Sequence, residues 1–554
     1  MKRIVELGRL AMMAVLLSTA SAAQTETIES IIEQTLTVDQ AEHQEDFERA
    51  FWREAMRDRL SGLDGKNEAQ RIRADEIASW YEQRDYAPLW LLNGEPTKTA
   101  EEAVFVLLRA DKDGLLPAEY GADVMFPKLD GNDPTGLADF EVSLSEAVVR
   151  YGQHLRSGRV EPNAINRELV LYPEDISAHS LLKQVDETGD LGRTLRDFSP
   201  NTARYDRMRD LLQHLFVARA RGGWTQIPEG PVLKPGMSDP RVPLLRQRLI
   251  ESEDMEPVGH EGDVYDGSLV LALQYFQFRM GLETDGVVGP ATLEQLNITV
   301  DERIRQVELN LERRRWMQAD FGDPYIFVNL ADQVIKVVDD EKTVHAAVVQ
   351  VGKPYHRTPV FSDEMEYLDF HPYWNVPFSI ATNEYLPKLR RNPYALQSQS
   401  IRVLVDGNVV DPGGLPWHSY SRSHFPVRLR QDPGPKNALG RVKFMFPNRF
   451  NIYIHDTPAQ SNFERASRYF SHGCIRVEDP FALAEVILGL QGISRAEIDG
   501  IVAGGQRKIV RLETPIPVHV VYLTAWVNKD GSVHYRRDVY GRDEILAHAL
   551  ATGS

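Results

Sequence analysis

The spacing of apolar residues changes once along the chain. Over residues 45–231, apolar side chains recur every three or four positions, which is the period of an amphipathic helix. Over residues 323–554 they occur in short runs bounded by turn residues, which is typical of strands. These runs include Tyr325–Leu330, Val334–Val338, Val344–Val351 and, late in the chain, Val518–Trp526 and Val533–Tyr535, all of which we assign to one sheet. The pattern predicts a multidomain α+β protein with a helical domain and a mainly-β domain.

A shorter unit, residues 232–297, lies between these two regions. Asp239 is placed to cap a first helix whose first turn holds Pro240. A second helix carries an apolar stripe over Leu269–Met280, and Pro290 begins a third. The pattern predicts a bundle of three helices, joined to the β domain by a charged connecting helix over residues 298–322.

The strand pattern breaks down between about residues 372 and 436. This segment contains Trp374, a helix-like stretch over Glu384–Leu389 and the pair Gly413-Gly414. Long irregular insertions in compact domains often act as lids. We therefore predict a lid here, with a surface loop of no function as the alternative.

Composition and the first residues indicate where the protein works. The net charge of −18 argues against a nucleic-acid partner, because phosphate binding needs a basic surface. Lys2 and Arg3, the apolar run Leu10–Leu17 and the A-x-A site at Ala20–Ala22 are typical of a secretory signal. This run of eight residues is shorter than the about 20 that span a bilayer. We expect a signal peptide over residues 1–22, a flexible lead-in over 23–44 and no transmembrane span afterwards; an uncleaved anchor is the alternative.

Cys474 is the only cysteine of the 554 residues. An exported chain with one cysteine forms no internal disulfide, so the thiol is either reactive or inert. It lies in Ser-His-Gly-Cys-Ile-Arg-Val, and the upstream strand Phe450–Asp456 carries His455. A thiol and an imidazole brought together can form a thiolate nucleophile. Because side chains alternate along a strand, Tyr453 and His455 share one face.

A strand ending in histidine, followed sixteen positions later by Ser-His-Gly-Cys-x-Arg, resembles the signature of the YkuD-type L,D-transpeptidases. These are cysteine enzymes that cross-link bacterial peptidoglycan. Gly352-Lys353-Pro354 and Thr358-Pro359 match an early motif of the family, whereas Ala438 replaces the proline of its Asn-Pro-Leu-Gly. The unit over residues 232–297 resembles the three-helix peptidoglycan-binding domain of wall enzymes. The helical region resembles the scaffold of the YcbB-like subgroup.

The resemblance implies a catalytic β-sandwich with a substrate-capping insertion. It implies Cys474 as nucleophile and His455 as general base and acid, with the backbone N–H groups of Gly473 and Cys474 as oxyanion donors. The candidates for substrate binding are Arg476, Tyr453, Trp374 and His472. Arg476 either anchors its loop or meets a carboxylate of the stem peptide.

The implied reaction is transfer through a thioester, giving a cross-link between third residues of two stem peptides. The expected partners are peptidoglycan stem peptides and glycan strands in the periplasm, with no metal or cofactor and with sensitivity to carbapenems.

Three alternatives remain open. The first is a zinc site formed by His455, His472 and Cys474, since catalytic zinc uses three N or S ligands plus water. The second is a non-catalytic scaffold that only binds peptidoglycan. The third is hydrolysis of stem peptides in place of cross-linking. The acyl acceptor and the oligomeric state are left open.

Overall fold

The computed structural model describes residues 49–63, 65, 67–125, 134–200, 202–257, 262–317 and 320–552, which form two compact units. The first unit comprises the described residues up to Ala110 together with Leu116–Gly152 and Ile176–Leu195. The second comprises Asp111–Leu115, Gln153–Asp175 and the described residues from Arg196 onward. The predicted signal peptide and lead-in lie outside the described residues. Of the helices described, none has the length and apolar character needed to cross a bilayer.

The first unit is helical, as its apolar period predicts. Its α-helices are residues 49–61, Glu68–Gln83, Lys98–Leu108, most of Pro134–Ser157, Ala178–Thr188 and the first part of Leu191–Phe198. The buried carboxylate of Glu141 accepts hydrogen bonds from the Tyr81 hydroxyl at 2.8 Å and from the backbone N–H of Trp90 at 3.1 Å. Burial raises the pKa of Glu141 to about 7. This group stabilises the helical core.

A large sheet dominates the second unit. Its strands are Leu169–Val170, Tyr325–Asn329, Val334–Asp339, Lys342–Gly352, Val360–Phe370, Val442–Met445, Ile454–His455, Tyr469–Ser471, Ile475–Val477 and Lys508–Val521. Val442–Met445 pairs with Ile454–His455 on one side and with Val360–Phe370 on the other, so the sheet closes on itself. The predicted β-rich domain is confirmed. Leu169–Val170, from the region predicted to be only helical, adds a short edge strand.

The closed sheet surrounds one apolar core. Alternate residues of its strands, such as Ile335 and Val337, are fully buried. The helix Pro480–Gly489 packs Leu483 and Ile487 against the same core. This packing fixes the direction of the strands that lead to Cys474.

The three predicted helices of the shorter unit are Val242–Glu251, Gly267–Met280 and Pro290–Leu296. They share a core with the connecting helix Val300–Arg315 and with Ala203–Ala220. Asp239 does not cap the first helix. Its carboxylate pairs with Arg241 at 2.9 Å, and the helix begins after that residue without a side-chain cap.

The prediction for the late strands is right for Val518–Val521, which pairs with Tyr325–Asn329 in the large sheet, and wrong for the strands that follow. Ala525–Val527 and Val533–Tyr535 form a hairpin that stands apart from the catalytic sheet. Ala525 and Tyr535 are buried in the core of the three-helix unit. Strand period alone does not say which core a hairpin will contact.

The insertion over residues 372–436 is more ordered than its sequence predicts. Four of its strands form a separate sheet in the order Asn408–Val410, Ile401–Val405, Arg428–Gln431 and Trp374–Asn375. Its helical part runs through Phe378–Ile380, the π-helical turn Ala381–Tyr385 and Leu386–Arg391. These elements enclose a small apolar core of their own. The insertion is therefore a folded module.

Thr358 connects the sheet to the loop that carries Cys474. Its hydroxyl accepts a hydrogen bond from the Gly352 N–H at 3.0 Å and donates one to the Gly473 carbonyl at 2.8 Å. Thr358, Gly352 and Gly473 are all buried. The loop is thus held by a group that has no contact with solvent.

We predict that Thr358→Val lowers the free energy of unfolding by about 1–3 kcal/mol, because two buried backbone groups lose their partner. Chemical denaturation of the full chain measures the change. Thr358→Ser, which keeps the hydroxyl, is the matched control. Equal stability of the valine variant and the wild type would contradict this account of the loop.

Candidate active site

Two neighbouring parallel strands place Cys474, which directly precedes the second strand, beside the strand that ends in His455. Ile454 pairs with Ile475, and His455 pairs with Arg476. The Ile475 N–H donates to the Tyr453 carbonyl at 3.0 Å, which continues the pairing toward Cys474. Ile454 and Ile475 point into the core, so His455 and Arg476 occupy the opposite face.

Polar residues form a row across that face. In adjacent strands Asp369 pairs with Lys443, Lys443 with His455, His455 with Arg476, and Arg476 with Gln350. We call these five residues the polar row. Arg476 donates to the Gln350 side-chain oxygen at 3.3 Å. The row places two cations beside the histidine.

The ring of His455 is buried and oriented by backbone. Its Nδ1 lies 2.5 Å from the Asp456 carbonyl, which only accepts hydrogen bonds, so Nδ1 carries the proton and Nε2 is left as an acceptor. Burial and the nearby charges of Arg476 and Lys443 lower the pKa of His455 to about 3. A neutral imidazole with a free Nε2 is suited to act as a base.

The Asp456 carboxylate points away from the ring, as strand alternation predicts. It accepts hydrogen bonds from the backbone N–H groups of Arg441 at 2.7 Å and Thr457 at 2.6 Å. The residue therefore contributes its carbonyl to His455 and its side chain to the neighbouring loop.

The loop before Cys474 is closed by its own serine. The Ser471 hydroxyl donates to the Cys474 carbonyl at 2.5 Å and accepts from the Gly473 N–H at 3.1 Å. Gly473 has a φ of 118°, which favours glycine. Because the Gly473 N–H is engaged by Ser471, the predicted pair of oxyanion donors is reduced to the Cys474 N–H.

The thiol of Cys474 is half-buried and donates weakly to the Asn451 carbonyl at 3.9 Å. Burial raises its pKa, while hydrogen bonds from Tyr453 and the charges of Lys443 and Arg476 act in the opposite direction. The thiol and the imidazole are thus both neutral at rest, and the two cations favour the thiolate once the proton has left.

The remaining predicted residues occupy different positions. The rings of Tyr453 and His455 lie 5.6 Å apart, so their predicted common face is confirmed. Nζ of Lys443 lies 3.9 Å from the Tyr453 ring centroid. Trp374 is buried in the core of the insertion against Tyr385, so its prediction as a substrate-binding residue is corrected to a packing role.

His472 points away from Cys474 and toward the insertion. Its Nε2 donates to the Glu384 carboxylate at 2.9 Å. Burial lowers the pKa of His472, so this contact is a hydrogen bond from a neutral ring. The contact joins the Cys474 loop to the insertion over residues 372–436, which we call the capping module. Within the described ranges, no three His, Cys, Asp or Glu side chains are arranged to hold a metal ion.

Sequence reasoning missed Lys443 and Glu384. Lys443 is a lone charge in the run Val442–Met445, and that isolation is the signal in the sequence. Its place beside His455 depends on strand register, which the sequence does not specify. Glu384 lies in a helix-like stretch where nothing distinguishes it from a solvent-exposed acid.

Three family models match successive parts of the chain. They are "Scaffold domain" over residues 75–212, "Putative peptidoglycan binding domain" over 238–296 and "L,D-transpeptidase catalytic domain" over 323–518. A curated relative, "Putative L,D-transpeptidase" from Haemophilus influenzae, is 32% identical over 256 residues. That match covers 46% of this chain and 50% of the relative, so the chain spans about half the relative's length.

Two solved L,D-transpeptidase structures are also similar. The one from Xylanimonas cellulosilytica is 15% identical, with a TM-score of 0.17, covering 53% of this chain and 100% of that chain. The one from Stackebrandtia nassauensis is 14% identical, with a TM-score of 0.21, covering 54% and 96%. Because these scores are low, the assignment rests on the family models and the curated relative. Residues 323–518 form a YkuD-family L,D-transpeptidase catalytic domain, and the chain joins this domain to a peptidoglycan-binding domain and a Scaffold domain.

Proposed function

We propose that this protein is an exported L,D-transpeptidase that cross-links peptidoglycan stem peptides through a thioester on Cys474. The observation that carries the proposal is the position of Cys474 directly before a strand that runs parallel to the strand of His455, whose Nδ1 contacts a backbone carbonyl so that Nε2 is the nitrogen left to accept a proton. The peptidoglycan-binding domain supports the same substrate class. Its location is the cell wall, in the periplasm.

In the first half-reaction the Cys474 sulfur attacks the carbonyl carbon of the third stem residue, and its proton passes to His455 Nε2. The Cys474 N–H stabilises the developing oxyanion. The bond to the terminal D-alanine then breaks, and His455 returns the proton to the departing amine. Lys443 and Arg476 stabilise the thiolate during transfer.

In the second half-reaction an amine of another stem attacks the thioester carbonyl. His455 removes a proton from that amine and returns it to the departing Cys474 thiolate. Arg476 meets a stem carboxylate in this proposal, which is supported by its Nε being buried without a hydrogen-bond partner among the described residues. The product is a link between the third residues of two stems.

The capping module supports transfer over hydrolysis. Its core packs against Tyr453, and Glu384 holds the loop of Cys474 through His472. A cover of this kind limits the access of water to a thioester, which leaves the amine as the favoured acceptor.

The first prediction concerns the nucleophile. Cys474→Ala should abolish formation of cross-linked dimers from disaccharide tetrapeptide, and it should also abolish the carbapenem adduct that we expect by intact mass on the wild type. Cys474→Ser, with a poorer nucleophile, retains at most trace activity. Dimer formation by the alanine variant contradicts the mechanism. Release of tripeptide without dimers by the wild type identifies a hydrolase instead.

The second prediction concerns pH. Burial opposes the charge on both groups, so the imidazole stays neutral above about pH 3 and the thiol ionises only above its ordinary range. The rate of alkylation of Cys474 by iodoacetamide should therefore keep rising beyond about pH 8.5, the pKa of an isolated thiol. A rate that has already levelled off below pH 6 would show a preformed thiolate–imidazolium pair.

The third prediction concerns Lys443. Lys443→Met removes a cation that favours the thiolate, so the pKa of Cys474 rises further and alkylation at pH 7.5 slows by about threefold or more. Since Asp369 keeps its bidentate contact with Arg507, the fold is expected to persist. Lys508→Met, an exposed lysine on another strand, is the control. An unchanged pH profile would exclude Lys443 from thiolate stabilisation.

A further inference from the structure

Three arginines line a cleft of about 550 Å³ in the second unit. Arg204 and Arg207 come from the helix Ala203–Ala220, and Arg314 comes from Val300–Arg315. Other lining residues are Tyr325, Phe327, Lys336, Lys342, Trp526 and Lys529. We call this feature the arginine cleft. It is a cationic concavity on a chain whose net charge is −18.

The three arginines bind no carboxylate within the part of the chain that the structure describes. Arg204 donates to the Tyr325 hydroxyl at 2.6 Å, and Arg207 donates to the Val527 carbonyl at 3.4 Å. The Nε of Arg314 is buried without a hydrogen-bond partner. By contrast, its neighbours Arg313 and Arg315 are paired with Asp543 and Glu312. The absence of a carboxylate partner among the described residues thus sets the cleft arginines apart from these two neighbours.

The arrangement is electrostatically unfavourable when the cleft is empty. Burial and the like charges of Arg204 and Arg207 lower the pKa of Arg314 to about 10. Groups held at such a cost to stability are characteristic of binding sites, where a ligand offsets the repulsion.

The acids beside the cleft do not neutralise it. Asp332 is held by Arg536 at 2.7 Å, and Asp530 accepts hydrogen bonds from Ser532. Glu341 remains as a third acid on the lining, against six basic side chains. The cleft is thus left with an excess of positive charge.

The cleft lies on the same face of the sheet as the polar row. Lys336 pairs with Ala346, and Gln350 lies four residues farther along that strand, on the same side. Gln350 pairs with Arg476, which pairs with His455. The cleft and the polar row thus use the outer face of the same closed sheet.

We propose that the arginine cleft binds carboxylates of the peptidoglycan stem peptides. The planar guanidinium matches a carboxylate in a bidentate contact, and stem peptides carry several such groups. The identity of the ligand rests on the proposed function, whereas the affinity of the cleft for an oxyanion does not. Phosphate shares this chemistry, and peptidoglycan is favoured because a peptidoglycan-binding domain belongs to the same unit.

The test uses the full chain carrying Cys474→Ala, so that binding is measured without turnover. Its affinity for purified disaccharide tetrapeptide is compared by calorimetry with that of chains also carrying Arg207→Gln alone or Arg207→Gln with Arg314→Gln. We expect about tenfold weaker binding for each lost contact. The affinity of the variants should depend less on salt than that of the parent chain, because fewer ionic contacts remain to be screened. Arg511→Gln, an exposed arginine with one long contact to Glu366, is the control and leaves binding unchanged.

Two further measurements separate the ligand from its alternatives. Tetrapeptide with methyl-esterified carboxylates should bind the parent chain as weakly as native tetrapeptide binds the double variant. The double variant, without ligand, should unfold at the same or a higher temperature, because a repulsion is removed. Three results would overturn the proposal. The first is an unchanged affinity for tetrapeptide in the single and double variants, and the second is a lower unfolding temperature of the double variant with intact binding of tetrapeptide. The third is binding of inorganic phosphate in the cleft while esterification leaves the affinity for tetrapeptide unchanged. If the wild type binds tetrapeptide but does not turn it over, the result contradicts the proposed enzyme mechanism and leaves the proposal for the arginine cleft standing.

Discussion

The parallel pairing of Ile454–His455 with Ile475–Val477 is the interaction on which the site depends. The two strands are only two and three residues long, yet they set the positions of the proposed base and nucleophile. Their inward side chains, Ile454 and Ile475, are fully buried in the core of the closed sheet. The chemistry is therefore held in place by hydrophobic packing on the opposite face of the same strands.

The electrostatics of the site follow from that burial. A buried imidazole resists becoming a cation, and a buried thiol resists becoming an anion, so the resting pair is neutral. Lys443 and Arg476 then favour the thiolate while keeping His455 unprotonated. In the proposed mechanism these are separate tasks, since the cations stabilise the negative sulfur and the histidine carries the proton.

Much of this could be predicted from sequence, because the signals were local. The apolar period predicted the helices and strands, and the spacing around Cys474 predicted the two segments that lie side by side, together with the common face of Tyr453 and His455. What depended on distant contacts was missed. The polar row depends on the register between strands, which the sequence does not specify. Trp374 is buried in the insertion's own core. The hairpin that begins at Ala525–Val527 packs into a different hydrophobic core from the one predicted.

The capping module illustrates how such a protein can diversify. Its sheet and core are its own, and it meets the catalytic loop through Glu384 and Tyr453. Substitutions inside that core change the shape of the capping module without changing the packing beneath Cys474. Selection can therefore alter the module while the strands that position His455 and Cys474 are inherited unaltered.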